Sequence, residues 1–522
     1  MYRPCNRGVV KLWSWSLGCQ AAQLRPNSDL RDSRHEASKD RMRLSSPFAL
    51  LACVTLAGVS LAGCAAPRAA QVELPQLYPQ GALGGPEAEA LDAWWRLFDD
   101  PTLTALVEEA LERNPDAQSA SARLREAQAT AASALTAFLP QGQLAGSARR
   151  TETGQIDGDE INFPGLSTSG TSETYQANFN VSWELDLFGR FFAARRGAQG
   201  DMAAARFAYE AARASLAANV ADTYFQVRGT AIQLADAEET ARIQTALLQL
   251  AERRTALGLA AASESDRVAG ELAQARGQVE SLSAELQAQQ RTLMVLVGRG
   301  TAPLEAMATP SLASPPPVPI TLPGDLLARR PDVREAEARI SSAAGRLAYA
   351  QLAFFPTFTL TPGLGLSRND QPGYSATTQN WSIGANVSQP VLNIPRLLLD
   401  LRAQDARTEQ AVIAYEKVVQ TAYAEAESAL VRLGADRRRV ALLDDGARRA
   451  ERAYEAARAG YGAGLTDLQT ALGAEQSWRA ARSQLTAAQV QSQRRTVQAF
   501  KALGGGWPSQ TLPPGSTPVE AP

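Results

Sequence analysis

Side chains able to do covalent or metal chemistry are scarce in this sequence, and they sit near one end. The four cysteines are Cys5, Cys19, Cys53 and Cys64, and the single histidine is His35. Beyond residue 64 there is no thiol nucleophile, no disulfide, and no imidazole to activate a serine or hold a metal. Carboxylates remain, but without metal-ligand spacing. The net charge of −2 offers no basic field to a nucleic acid. No enzyme chemistry and no cofactor are therefore expected. One residue stands apart. Cys64 closes an uncharged apolar run that begins near Phe48 and ends in Leu61-Ala62-Gly63.

Residues 42–63 read as a signal peptide: Met42-Arg43, an apolar core, then small residues. Residues 1–41 are polar and irregular, and they read as an extension upstream of a true start at Met42. The small residues followed at once by Cys64 resemble a bacterial lipobox. That resemblance implies that Cys64 is diacylated, becomes the first mature residue and is then N-acylated. Two or three acyl chains anchor stably where one is marginal. Ala65 follows rather than Asp, which in such lipoproteins favours sorting to the outer membrane. A plain signal peptide with a coincidental cysteine is the alternative.

The rest of the chain is written twice. "RNPDAQSASARLREAQATAASALTAFLP" (113–140) aligns without a gap on "RRPDVREAEARISSAAGRLAYAQLAFFP" (329–356), an offset of 216 residues. Further on, Val181-Ser182 aligns with Val387-Ser388, Arg190 with Arg396, and "AYE" at 208–210 with "AYE" at 414–416, an offset of 206. Ten extra residues must therefore lie in the first copy between 140 and 181.

Each copy changes periodicity in the same order. An Ala-rich helix follows Pro115 or Pro331, where proline suits the first turn, and ends before Pro140 or Pro356. The pattern then alternates. In residues 175–185, Tyr175, Ala177, Phe179, Val181, Trp183 and Leu185 share one face. Phe358 and Leu360 in 357–367, and Trp381, Ile383 and Val387 in 381–389, do the same against Ser, Thr, Asn and Gly. The partner strand near 141–150 is weakly patterned. Strands of about ten residues with one apolar face suit a membrane β-barrel, whereas no apolar run after Cys64 is long enough for a spanning helix. A soluble antiparallel sheet is the alternative.

Proline-free helical stretches follow, from Arg190 to about Thr255 and from Arg396 to about Ala459. The seams are Tyr209, Leu216, Val220, Tyr224, Val227, Leu234 and Val412, Tyr415, Val419, Ala422, Ala426, Ala429, a heptad rhythm. Turns marked by Gly258 and "YGAGLTD" (461–467) lead into returning helices near 262–297 and 465–503. Four strands cannot close a barrel in lipid without open edges, so several copies of the chain must share one.

These features together resemble the TolC-like outer membrane factors, in particular the NodT-type efflux lipoproteins. The resemblance rests on "WWRLFDDPTLTALVEEALERNPD" (94–116), "WELDLFGR" (183–190), "FFPTFTL" (354–360), "SQPV" (388–391) and "ALGGGW" (502–507), and covers nearly everything after Cys64. It implies a mainly α protein with a membrane β-barrel: a homotrimer whose 12-stranded β-barrel continues into a periplasmic α-helical barrel. Tyr175, Phe179, Trp183, Phe358, Leu360, Trp381, Ile383 and Val387 are then the lipid-facing residues. It divides the chain into a lipid-anchored segment at 64–100, a first repeat at 101–297, a Pro-rich linker at 298–324, a second repeat at 325–503 and a disordered tail at 504–522. Segments around 86–114 and 298–330, with the chain after about 500, form an equatorial belt.

The resemblance also implies a passive channel in the outer membrane of a Gram-negative bacterium. It works with a periplasmic adaptor protein and an inner-membrane pump, usually of the resistance–nodulation–division class, and exports drugs or other small solutes. In related channels the closed periplasmic tip is held by a tyrosine and acidic residues around the second helix turn. Tyr461 and Gly464 match; Thr470 and Gly473 stand where relatives can carry aspartates, so Asp467 is the nearest acid. In copy one, "ASESD" (262–266), with Glu264 and Asp266, resembles the family's turn, but Gly258 lies two residues farther off than the family spacing. A protein-secretion channel of the same fold, a pore-free coiled-coil lipoprotein and a lipid-anchored cell-wall enzyme are the competing readings. The absent histidine and nucleophile weigh against the last.

Overall fold

A computed structural model describes residues 70, 74–75, 91–154, 157, 162–163, 166–167, 170–303, 312–318, 329–371 and 373–505. The N-terminal extension, the signal peptide and Cys64 lie outside the described residues, as do parts of the linker and the tail beyond 505. Everything below belongs to one compact unit that begins at Ala69.

The unit is mostly helical with a small antiparallel sheet. A short 3-10 turn, Trp94–Phe98, leads into helices α1 (Pro101–Arg113) and α2 (Pro115–Thr136). Strands β1 (Gln141–Thr153) and β2 (Gly170–Leu185) follow, then the long α3 (Arg190–Ala256) and the returning α4 (Ala262–Val297). Helix α5 (Pro331–Leu352), strands β3 (Thr357–Gln371) and β4 (Tyr374–Ser388), and helices α6 (Ile394–Gly462) and α7 (Leu468–Ala502) take up the same order again.

Helix starts follow from local polar chemistry. Asp100 accepts hydrogen bonds from the amides of Thr102 and Leu103, and Asn114 from those of Asp116 and Ala117, just before Pro101 and Pro115. The "WELDLFGR" motif launches α3. The Asp186 carboxylate gathers the amides of Gly189, Arg190 and Phe191 at 2.7–2.9 Å, and Gly189 supplies the left-handed φ of 87° that turns the strand into the helix. The 67 residues of α3 span about 100 Å at 1.5 Å per residue.

The strands are longer than their alternation alone suggests. The weakly patterned 141–150 stretch is a full strand to Thr153, β2 begins at Gly170 rather than 175, and β3 and β4 extend to Gln371 and from Tyr374. Ladder hydrogen bonds run past the apolar band into polar sequence, where side-chain pattern carries no signal. Between β1 and β2, residues 162–163 and 166–167 form a small ribbon of their own. Pro362 lies inside β3 and lacks an N–H, yet the pairing register is the same on either side of it.

The helices pack through the heptad seams. Val412, Tyr415, Val419, Ala422, Ala426 and Ala429 are all buried, and so are Tyr209, Leu216, Val220, Tyr224 and Val227. Leu234 is half-buried. Helix α5 crosses α3 closely enough that a Cβ on Gly345 would come within 2.7 Å of the Gly197 Cα, and one on Gly200 within 2.5 Å of the Ser342 nitrogen. The main core lies at mid-length. There Trp94 stacks on Phe500 at 5.6 Å and packs with Phe98, Phe225, Leu103, Val297 and Leu433. The Tyr224 hydroxyl donates to Asp100 at 2.7 Å beside this core, and burial pushes the phenol well above its ordinary pKa.

Candidate functional site

The four strands form one sheet in the order β1-β2-β3-β4, and among the described residues nothing pairs with the outer edges of β1 and β4. Antiparallel pairing puts opposed residues on one face, so the register sorts every strand position. Leu144, Phe179, Leu364 and Trp381 stand in one row across the sheet. Trp183 and Leu360 fall in a second row with Ala385, and Leu185, Phe358 and Val387 in a third. Tyr175 and Ile383 lie on this same face. All eight residues assigned to lipid therefore share one surface. Much of it is bare: Trp381 is 78% exposed, Ile383 71% and Leu144 75%. Bare apolar area of this kind marks an interaction surface. The opposite face carries Gln143, Asn178, Asn180, Thr359, Ser382 and Asn386.

At the far end of the long helices, two turns are built alike. Gly258 and Gly464 take left-handed φ values of 72° and 77°. The Gly258 amide donates to the Thr255 carbonyl and that of Leu259 to Arg254; the Gly464 amide donates to Tyr461 and that of Leu465 to Gly460. Residues 262–266 are therefore the first helical residues of α4 and not the turn, and Gly258 holds the same place in its turn as Gly464. Each glycine stands four residues before the first residue of the returning helix, Ala262 or Leu468.

Asp467 is exposed and is the N-cap of α7: its carboxylate accepts from the Thr470 amide at 2.6 Å, which holds its pKa below the usual carboxylate value. The matching residue before α4 is Ala261, which has no such bond. Glu264 is half-buried in the first turn of α4, where the helix dipole favours an acid, and Asp266 is exposed just beyond it. Tyr461 is only 3% exposed. It packs among Leu247, Ala251, Val268, Leu468 and Leu472, with the Arg254 guanidinium 5.0 Å above its ring. The structure thus brings Gly464 and Asp467 to the open tip and puts Tyr461 in the seam between the hairpins.

One polar cluster behind the tip carries no motif in the sequence. Gln244 of α3 and Glu475 of α7 are both fully buried, and the Gln244 amide donates to Glu475 at 2.9 Å and toward Glu271 of α4 at 3.4 Å. Arg479 approaches Glu475 at 3.6 Å. Burial pushes the Glu475 carboxyl above its ordinary pKa, Arg479 opposes the shift, and Glu271 adds to it. Nearby, Tyr454 and Trp478 stack at 5.1 Å, capped by Arg458 and Arg482, and Arg482 reaches Asp236 at 2.6 Å. The available signal was spacing: Glu475 continues the heptad seam of Leu468 and Leu472.

This combination, a bare-faced four-stranded sheet joined to two long helical hairpins, has known counterparts. A sequence model described as "Outer membrane efflux protein" matches residues 106–299 and again 322–505. The chain belongs to the outer membrane efflux protein family. It is 30% identical over 471 residues to the pyoverdine export outer membrane protein OpmQ of Pseudomonas putida, covering 87% of this chain and 97% of that protein. It is 27% identical over 478 residues to the cation efflux system protein CusC of Escherichia coli O6:H1, covering 88% and 99%. Among solved structures, the outer-membrane channel OprN superposes with a TM-score of 0.73 at 27% identity, over 85% of this chain and all of that one. This efflux protein is accordingly an outer membrane channel for solutes, in a family of channels rather than enzymes. The two matched segments each contain one strand pair of the four-stranded sheet and one long helical hairpin.

Proposed function

We propose that three copies of this chain close their sheets edge to edge, β4 of one against β1 of the next, into a 12-stranded barrel. The observation that carries this is the sheet itself: one apolar face and two unpaired edges. Unpaired backbone groups in hydrocarbon cost several kcal/mol each, so the edges need partners. The long hairpins of three chains then form a periplasmic α-helical barrel beneath. The two repeats, 101–297 and 325–503, are near-equivalent units of that wall, the linker 298–324 joins them, and segments around the mid-length core form the belt.

In this reading the channel is passive. It meets a periplasmic adaptor and, through it, an inner-membrane pump of the resistance–nodulation–division class. Gly464, Asp467, Glu264 and Asp266 lie at the narrow inner mouth, and Tyr461 holds the seam behind it. Cys64 carries the lipid anchor after removal of 42–63. Relatives are named for pyoverdine export, cation efflux and solvent efflux, which supports small-solute export in general. Native mass measurement in detergent tests the assembly, and planar-bilayer conductance of the same preparation tests the pore. A trimer that conducts is expected. A stable monomer, or a trimer without conductance, overturns the reading.

A further inference from the structure

We propose that the barrel wall is a largely uncharged hydrogen-bonding surface on which Arg149, the one inward-facing strand charge per chain without an oppositely charged partner among the described residues, favours anionic solutes near the outer mouth. This rests on the barrel reading above. The pairing register decides which strand residues face inward, opposite the apolar face. Among the described strand residues of that inward face, only Glu184 and Arg149 are charged. Glu184 lies at the helix end of the sheet and is neutralised by Arg190 at 3.3 Å. Arg149 lies near the opposite end, opposed to Thr174.

Between these two charges the wall is amide, hydroxyl and glycine, with Ala145 the one apolar side chain among the described residues. The glycines have a reason. A Cβ on Gly365 would come within 2.7 Å of the Asn178 Oδ1 and would also collide with the Asn380 carboxamide, and one on Gly384 would come within 2.7 Å of the Thr361 hydroxyl. The carboxamides therefore lean across bare backbone, which keeps the wall low and offers donors and acceptors without fixed charge. Such a surface exchanges hydrogen bonds with any polar solute and holds none by its charge. A trimer places three Arg149 side chains around the mouth. Like charges lining a water-filled opening with low-dielectric walls raise the local concentration of counter-ions. Solutes carrying carboxylate, sulfonate or phosphate gain there, and cations lose.

The test uses a thiol reporter. The mature chain beyond Cys64 has no cysteine, so Ser147→Cys adds one site on the same inward face. It lies two residues from Arg149, roughly 7 Å along the strand. In intact cells the thiol's rates are compared with two membrane-impermeant reagents, the anionic sulfonatoethyl and the cationic trimethylammonioethyl methanethiosulfonate. Each reagent forms a mixed disulfide with the thiolate and releases sulfinate, so only the charge differs. Arg149→Gln is expected to lower the anionic-to-cationic rate ratio roughly three- to sevenfold at physiological salt, and Arg149→Lys to preserve it. The loop after β1 carries Asp157, Asp159 and Glu160, whose field acts equally on both backgrounds, so the comparison isolates Arg149. An introduced thiol that reacts, but whose rate ratio ignores Arg149→Gln, overturns this inference and leaves the barrel standing. An introduced thiol that neither reagent reaches in correctly folded trimers overturns the barrel reading and this inference with it.

Discussion

Gln244 and Glu475, one on each helical hairpin, meet at 2.9 Å with neither side chain reaching solvent. Burial raises the Glu475 pKa, while Arg479, Glu271 and the Tyr454 ring region face it from α7, α4 and α6. A carboxyl whose pKa is raised by folding contributes stability that is complete below its unfolded value and is lost as pH rises through the folded one. The seam between hairpins is therefore expected to loosen on the alkaline side of that raised pKa. Glu475→Gln keeps the shape and removes the charge. Hydrogen exchange in α3 and α7 near the tip, followed from roughly pH 5 to 8, should lose its Glu475-dependent rise in the variant. Identical pH profiles in both proteins would mean that the carboxyl is not titrating in the seam.

The crossing of α3 and α5 has no room for a side chain at Gly345. Gly345→Leu should overpack it and cost about 1–3 kcal/mol. Thermal unfolding of the purified protein reads this directly; an unchanged midpoint would show that the helices separate at little cost.

Phe179 and Asn178 are neighbours on β2 with opposite faces. Phe179→Arg places a guanidinium on the apolar face and is expected to cost roughly 2–4 kcal/mol when that face meets mid-bilayer lipid. Asn178→Arg should be tolerated and should alter ion selectivity. Folding yields into lipid vesicles compare the two. Equal tolerance would remove the lipid assignment from the aromatic face.

Asp467 both caps α7 and adds charge at the tip. Asp467→Ser retains a capping oxygen without the charge, so it separates these roles. Reduced cation preference in the bilayer, with α7 starting where it does now, is the expected result. Since the folded pKa is depressed, the cap is complete above the ordinary carboxylate value and weakens as pH falls through the folded value. A selectivity that stays put in the serine variant excludes Asp467 from the aperture.

Cys64→Ala should abolish metabolic labelling with palmitate while leaving membrane association through the barrel. Label that persists would refute acylation at this residue.

Much of this molecule is legible in one dimension because its elements are long and locally determined. Proline and glycine positions, strict alternation and a heptad rhythm each reflect the geometry of one element, so the two strand pairs, the two long hairpins and the buried seams follow from residue order. The eight aromatic and aliphatic strand residues share a face for the same reason. What lay beyond that reading depends on residues far apart in the chain. The weak β1 strand is held by ladder bonds to β2, whose partners the sequence does not mark. The equivalence of Gly258 and Gly464 became visible only through their left-handed caps. Tyr461 looks like a tip residue by position, but apolar neighbours drawn from α3, α4 and α7 enclose it. Gln244 and Glu475 are separated by 231 residues and come together because two hairpins pack side by side. Periodicity assigns a side chain to a face; only packing decides what that face meets.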